Sequence, residues 1–444
     1  MTDTKKLNST FLKNVIWQFG GNASQAILAG ILLLTMGKYL SATAFGEFSV
    51  IMSFIYVSNY LLEPRIQDIA AKHFSDLMSD KFSKIKNDDY FFDFLLIEIF
   101  LKLIPCLGVI FFSPLIVSFG NLPEGSERLL IIASVGTYLA KLGNGLSIGI
   151  LRALGRSDII AYCGIADLSL RLFMTILVIY FFHINVEVCI IILTITGCIA
   201  ILIQWIFLCK IYGGVLDSFK QWRFKSITGR TFENRKFLIS NIGISIADLM
   251  NKDLDITLIS PLVSHDQIGI YKMSKNITML IWRAVDPFYF AMIPEASKLI
   301  KLNKFSELAN LFKKSSIIIT IVTILGSMIT YATFIYFGSR ILNGEYILVP
   351  EVMIWMMLGV IISGPMVCAP AILIAINKPE ISLYSSVIGT ITGLLFFTEL
   401  TSNFGIIGSA IAWSMSLSIG FLILTIISLS EIRNMLAKQR YNKL

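Results

Sequence analysis

The charged residues of this chain form two populations, and the smaller one lies where charge is costly. The stretch SIADLMNKDLDITL, residues 245–258, carries Asp248, Lys252, Asp253 and Asp255 inside an otherwise apolar run. Asp248, Lys252 and Asp255 recur at i, i+4 and i+7, the spacing of one helix face, with Asp253 beside that stripe. Glu98 and Lys102 are four apart in a second apolar run, and Asp167 and Arg171 repeat the spacing in a third. Lys141 stands alone in a fourth, and a fifth holds Lys272, Lys275, Arg283 and Asp286. Such groups do one of two things in apolar surroundings. They pair with each other, or they line a watery cavity where cations bind anions and carboxylates exchange protons or small cations. No Cys/His cluster with metal-ligand spacing joins them. Cys106, Cys163, Cys189, Cys198, Cys209 and Cys368 fall in or at the ends of apolar runs and read as small buried apolar residues, and His73, His183 and His265 fall in loops or at run edges. No metal and no cofactor is expected.

The runs that position these groups are long. Of 444 residues, 55% are hydrophobic and 15% charged, with a mean hydropathy of +0.76. Soluble domains carry about 25% charged residues, so the charges here are too few to cover a soluble surface. Apolar runs of about 18 residues or more recur throughout, the mark of a polytopic all-α membrane protein. The alternation of an outer-membrane barrel, over segments of about ten residues, is absent. Twelve spans are predicted, near 14–36, 45–62, 91–118, 129–150, 159–182, 186–210, 237–259, 268–293, 315–337, 350–376, 381–399 and 406–429. The first follows the basic segment MTDTKKLNSTFLKN and, at about 35 Å as a helix, is too long for a signal-peptide core. Pro365 and Pro370 should kink the tenth span.

Basic residues orient the spans. With the amino terminus inside, cytoplasmic segments hold 27 of the 37 Lys and Arg residues and external loops hold three, Lys38, Arg128 and Arg340. That asymmetry places both termini in the cytoplasm. It also removes nucleic acid as a partner, because the net charge of +8 is dispersed between spans instead of gathered on one domain. Counted from their cytoplasmic ends, Asp248 and Arg283 lie near mid-depth, whereas Lys272 and Lys275 fall near the outer surface, where lysines snorkel. A charge at the bilayer centre costs at least about 2.5 kcal/mol. Asp248 and Arg283 are therefore expected to face a polar cavity; for Glu98–Lys102 and Asp167–Arg171, packing pairs and cavity roles balance. The loops at 63–90, 211–236 and 294–314 are the long cytoplasmic ones. In the last, Ala296, Leu299, Leu308 and Phe312 recur at helical spacing beside Lys298, Lys301 and Lys304, as in a helix lying in the inner interface or, equally, an amphipathic linker between spans.

The chain also repeats. ILRALGRSDIIAY (150–162) aligns with ILIAINKPEISLY (372–384) at an offset of 222, and LSATAFGEF (40–48) with VSHDQIGIY (263–271) at 223. Two matches at nearly one offset divide the spans six plus six. The division is a first lobe over 1–210, a basic linker over 211–236 and a second lobe over 237–444. An even number of spans per lobe gives both the same orientation, so a pseudo-twofold axis should run along the membrane normal.

Several segments, in this order and spacing, resemble the polysaccharide-transport family within the multidrug/oligosaccharidyl-lipid/polysaccharide exporter superfamily. They are GKYLSATAFGEFSVIMSF (37–54), LRALGRSDIIAY (151–162), DITLISPLVSHDQIGIYKMSKNI (255–277), AMIPEASKL (291–299) and FGIIGSAIAW (404–413). The resemblance covers nearly the whole chain and implies a MATE-like alternating-access fold of two six-helix lobes. It implies translocation of an undecaprenyl-diphosphate-linked oligosaccharide, of O-antigen or capsule type, across a bacterial inner membrane. A polysaccharide polymerase and a chain-length regulator would be partners. Arg283, Lys102, Arg171, Lys141 and Lys275 then become candidates for the diphosphate or an anionic glycan. Asp248, Asp167, Glu98 and Asp286 become candidates for coupling to a proton or sodium gradient. The alternatives are a drug/cation antiporter or peptidoglycan lipid-precursor flippase of the same fold, and an enzyme, a membrane polymerase or glycosyltransferase. The enzyme is disfavoured because no large external loop or cytoplasmic catalytic domain is present.

Overall fold

The computed structural model describes residues 2–79, 90–212, 245–246, 249, 253–342, 344–376, 378 and 380–441. Among these residues every regular element is helical. Among the described residues, seven helical stretches are long and apolar enough to cross a membrane. Their outward faces carry large apolar side chains, with Phe111 78%, Tyr180 82% and Leu395 67% exposed. Water would penalise that surface; lipid would not.

The chain divides into two compact units, residues 1–32 with 51–246 and residues 33–50 with 247–444. Helices α1 (Thr2–Tyr39) and α2 (Ala42–Leu61) therefore contribute to both. The first unit adds α3 (Ile66–Ser79), α4 (Tyr90–Phe111), α5 (Ser113–Phe119), α6 (Ser126–Ala140), α7 (Asn144–Ala153), α8 (Ser157–Phe181) and α9 (Val186–Tyr212). The second adds α10 (Leu254–Ile259), α11 (His265–Lys301), α12 (Phe305–Thr333), α13 (Val349–Ser363), α14 (Ala369–Ala375) and α15 (Glu380–Tyr441).

Several spans are interrupted where local chemistry breaks a helix. Pro64 lacks an N–H and disfavours helical backbone at Glu63, so α2 stops at Leu61. The expected cytoplasmic loop at 63–90 nevertheless contains α3. Its Ile66, Ile69, Ala70 and Phe74 are buried in one cluster with Leu146, Ile150 and Leu151 of α7. The fourth span is two helices, α6 and α7, separated at Lys141–Gly143. Gly143 adopts φ +67°, and a Cβ there would collide with the Trp205 ring, so only glycine serves both needs. A 3₁₀ turn at Gly364–Met366 separates α13 from α14, where Pro365 and Pro370 were expected to act. Gly405, at φ +58° and ψ −141°, divides α15 into two arms, the expected eleventh and twelfth spans.

Two expectations are corrected. The stretch at 245–258 is not one uninterrupted stripe: Asp253 adopts φ +79° and α10 begins after it. Asp255 therefore follows a left-handed break in the chain, and Asp248 and Lys252 lie outside the described residues. Nor does 294–314 form a separate helix in the membrane interface. Helix α11 runs unbroken to Lys301, turns at Leu302–Asn303, and α12 resumes at Phe305. The apolar stripe Ala296, Leu299, Leu308 and Phe312 is buried with Ala369, Ala371, Ile372 and Leu373 of α14 and with Leu424 and Ile432 of α15. Protein, not lipid headgroups, covers that face.

The repeat is written into the backbone. In the first turn, Leu154 donates to Ile150 at 2.9 Å, Arg156 to Leu151 at 2.9 Å and Ile159 to Arg156 at 3.2 Å. At an offset of 222, Ile376 donates to Ile372 at 3.0 Å, Lys378 to Leu373 at 2.9 Å and Ile381 to Lys378 at 3.3 Å. The second repeated pair meets itself. A Cβ on Gly46 would strike the carbonyl oxygen of His265, and one on Gly269 would strike that of Ala42. At the offset of 223, Ala42 corresponds to His265 and Gly46 to Gly269, so the contact is reciprocal, as a local twofold requires. Both glycines lie within the second unit.

Candidate functional site

The break in the fourth span is held by a buried ion pair on α4. The first N–H groups of a helix have no partner within it. Glu98, 1% exposed, accepts those of Gly145 at 2.8 Å and Leu146 at 2.9 Å. Lys102 donates to Glu98 and, at 3.0 Å, to the Lys141 carbonyl. On the other side, Trp205 of α9 donates to the Leu142 carbonyl at 3.2 Å. Glu98 and Lys102 thus join α4 to both ends of the interruption. Their polar atoms are engaged with the chain itself.

The interruption opens onto a cavity of about 400 Å³ inside the first unit. Three of the residues singled out in the sequence, Lys141, Asp167 and Arg171, converge there. Arg171 donates to Asp167 at 3.1 and 2.9 Å, the i,i+4 pair on α8. The Lys141 ammonium lies 5.2 Å from the Tyr56 ring centre and 6.0 Å from that of Tyr60, within cation–π range. Two cations face one carboxylate, a formal excess of one positive charge. Neutral polar residues complete the wall: Asn22, Gln25, Tyr56, Thr137, Asn144 and Gln204. Gln204, 7% exposed, donates to Asn144 Oδ1 at 3.2 Å and to Ser147 Oγ. None of these was singled out in the sequence. A single neutral polar residue barely changes a hydropathy window, and its only signal was an amide within a span.

The second unit buries a different constellation. Lys275, 3% exposed at its side chain, donates to Asp255 at 2.8 and 2.7 Å and to Asp253 at 3.3 Å. Lys272 donates to Asp253 at 2.8 Å, and the buried Tyr271 hydroxyl to Asp255 at 2.7 Å. The expectation that Lys272 and Lys275 snorkel to the outer surface is therefore corrected. The left-handed turn at Asp253 carries both carboxylates onto α11, and a fully buried Asp255 requires a neutralising partner. Arg283, further along α11, is exposed, and Asp286 is half-buried and already engaged with another group. Asp248 lies outside the described residues. Among the described residues, no group of three His, Cys, Asp or Glu side chains is placed to hold a metal.

The described residues, all-helical, apolar outside and charged within, define the class: a membrane-spanning helical bundle. An inward-facing multidrug resistance MATE family transporter of the MOP superfamily superposes with a TM-score of 0.72 at 12% identity, covering 93% of this chain and 95% of its own. The lipid II flippase MurJ superposes with a TM-score of 0.67 at 16% identity, covering 96% of this chain and 91% of its own. The Vibrio cholerae MATE transporter VcmN, as a mutant, gives 0.66 at 11% identity, covering 98% and 99%. These likenesses establish a shared fold. The model of the family described as polysaccharide biosynthesis protein matches residues 11–300, and the chain belongs to that family. No curated protein matches the chain. The chain therefore belongs to the polysaccharide biosynthesis protein family and shares its fold with MATE transporters and a lipid II flippase.

Proposed function

We propose that this protein moves an undecaprenyl-diphosphate-linked oligosaccharide repeat unit from the inner to the outer leaflet of a bacterial cytoplasmic membrane by alternating access. The observation that carries this reading is the first unit's cavity, where Lys141 and Arg171 face the single carboxylate of Asp167. A cavity with excess positive charge in an apolar bundle attracts an anionic headgroup, and a guanidinium remains charged at any cavity pH. Family membership supports glycan chemistry, and the fold is shared with a lipid II flippase. A drug/cation antiporter would call for an excess of carboxylates instead. Asp167 is the carboxylate best placed to couple movement to a proton or sodium gradient, since it lines the cavity and holds Arg171. The flipped unit would pass to a polysaccharide polymerase and its chain-length regulator on the outer face.

The test is translocation by the full-length protein in proteoliposomes. A fluorescent undecaprenyl-diphosphate-linked oligosaccharide is offered on one leaflet and quenched after it crosses. Wild-type protein is expected to flip it, and Lys141→Ala with Arg171→Ala to slow flipping about a hundredfold, the worth of two charge-assisted contacts. Transport of a cationic dye without movement of the lipid-linked glycan would establish the antiporter instead.

A further inference from the structure

Polar groups shielded inside proteins almost always have partners, yet two at the first unit's cavity have none among the described residues, and the amides around them have unused hydrogen-bonding capacity. Thr137 Oγ1 and Arg171 Nε are buried without a hydrogen bond. Gln204 uses its amide nitrogen on Asn144 Oδ1 and Ser147, which leaves Gln204 Oε1 and Asn144 Nδ2 open to the cavity. Asn22 and Gln25 line the same space and make no side-chain hydrogen bond. Gln25 is packed so closely on α8 that a Cβ at Gly164, one turn before Asp167, would overlap its amide.

These open groups alternate in polarity. Asn144 Nδ2 and Arg171 Nε donate, Gln204 Oε1 accepts, and the amides of Asn22 and Gln25 do both. A diphosphate only accepts, so it answers the donors and leaves Gln204 Oε1 unmet. A polyprenyl tail answers neither. A sugar ring carries neighbouring hydroxyls, each of which donates and accepts, and so meets a wall of mixed polarity. The volume falls in the range of small-ligand sites, about 300–1,000 Å³.

We infer that the amide-lined wall of this cavity, Asn22, Gln25, Asn144 and Gln204, is a sugar subsite that reads the glycan residue next to the diphosphate. The inference rests on the flippase reading above and adds to it a specificity-determining surface. Lys141 and Arg171 hold the charged group, and the amides select which sugar follows it.

The probes are undecaprenyl diphosphates that carry a single hexose, N-acetylhexosamine, 6-deoxyhexose or hexuronic acid, with the sugar-free lipid as reference. Each is titrated against the full chain in nanodiscs. At least one sugar-bearing lipid should bind about 25-fold more tightly than the reference, since two net hydrogen bonds are worth that much. Gln25→Ala and Asn144→Ala should each weaken that lipid about fivefold, one net hydrogen bond, and narrow the preference. Gln25 makes no internal hydrogen bond, so its removal leaves the protein's own polar contacts intact. If wild-type protein translocates lipid-linked glycan but no sugar raises affinity, or if both variants keep the full preference, the subsite is wrong and the flippase reading stands. If the sugar-free lipid does not bind and no lipid-linked glycan is translocated, both fall together.

Discussion

Gly46 and Gly269 lie face to face, each pressed against the opening turn of the other's helix. The carbonyl of His265 fills the place of a side chain on Gly46, and that of Ala42 fills it on Gly269. A methyl group at either position displaces backbone, which cannot rotate away, and overpacking of this kind costs about 1–3 kcal/mol. Gly46→Ala and Gly269→Ala should therefore each lower the thermal midpoint of the protein in detergent. Gly108 has open space around its absent side chain, so Gly108→Ala should be neutral or mildly stabilising. Equal midpoints for all three variants would mean that the crossing is not formed.

The carboxylates at the start of α10 give a second prediction. Lys275 and Asp255 are buried together, so removing either leaves a stranded charge, at a cost of about 3–5 kcal/mol. Asp255→Asn and Lys275→Met should each reduce folded protein in the membrane. The double variant should recover much of the loss, because it removes both charges at once. Tyr271→Phe should cost about 1 kcal/mol, the hydroxyl's net hydrogen bond. Additive losses in the double variant would rule out the pairing.

Glu98 makes a more local claim. If its two oxygens hold the amides of Gly145 and Leu146, Glu98→Ala should speed hydrogen exchange in the first turn of α7 and leave mid-α9 unchanged. Peptide-resolved exchange in nanodiscs reads both regions in one experiment. Unchanged protection at Gly145 and Leu146 would show that α7 holds its opening turn without the carboxylate.

Orientation is tested by labelling. Leu302, at the exposed turn between α11 and α12, should be cytoplasmic, and Leu262, before α11, external. In a cysteine-free background, an impermeant maleimide added outside intact cells should modify Leu262→Cys and spare Leu302→Cys. The opposite pattern would invert the topology.

Much of this architecture is legible in the sequence, because composition and helical spacing report local physics. The turn at Gly155 and its counterpart near Lys378 were visible as a repeat. The Glu98–Lys102 and Asp167–Arg171 pairs were visible as i,i+4 neighbours on one helix, where spacing fixes proximity. What spacing cannot show is a partner on another helix. Lys275 finds Asp255 twenty residues away only because Asp253 takes a left-handed conformation that no helical wheel anticipates. The interruption at Lys141–Gly143 was hidden for a related reason: hydropathy averaged across it reads as one span. Gln204 and Asn144 were overlooked because a neutral amide in an apolar run disturbs neither charge nor period.

The buried constellation of the second unit has an electrical consequence. Asp253 and Asp255 balance Lys272 and Lys275, so the four side chains together carry no net charge. Carried through the membrane field as one body, they do no electrical work. Neutralising a single member would convert the group into a gating charge worth about 2.3 kcal/mol per 100 mV over a full crossing. A variant such as Lys275→Met would then make the motion of α11 sensitive to membrane voltage, which the intact cluster is not.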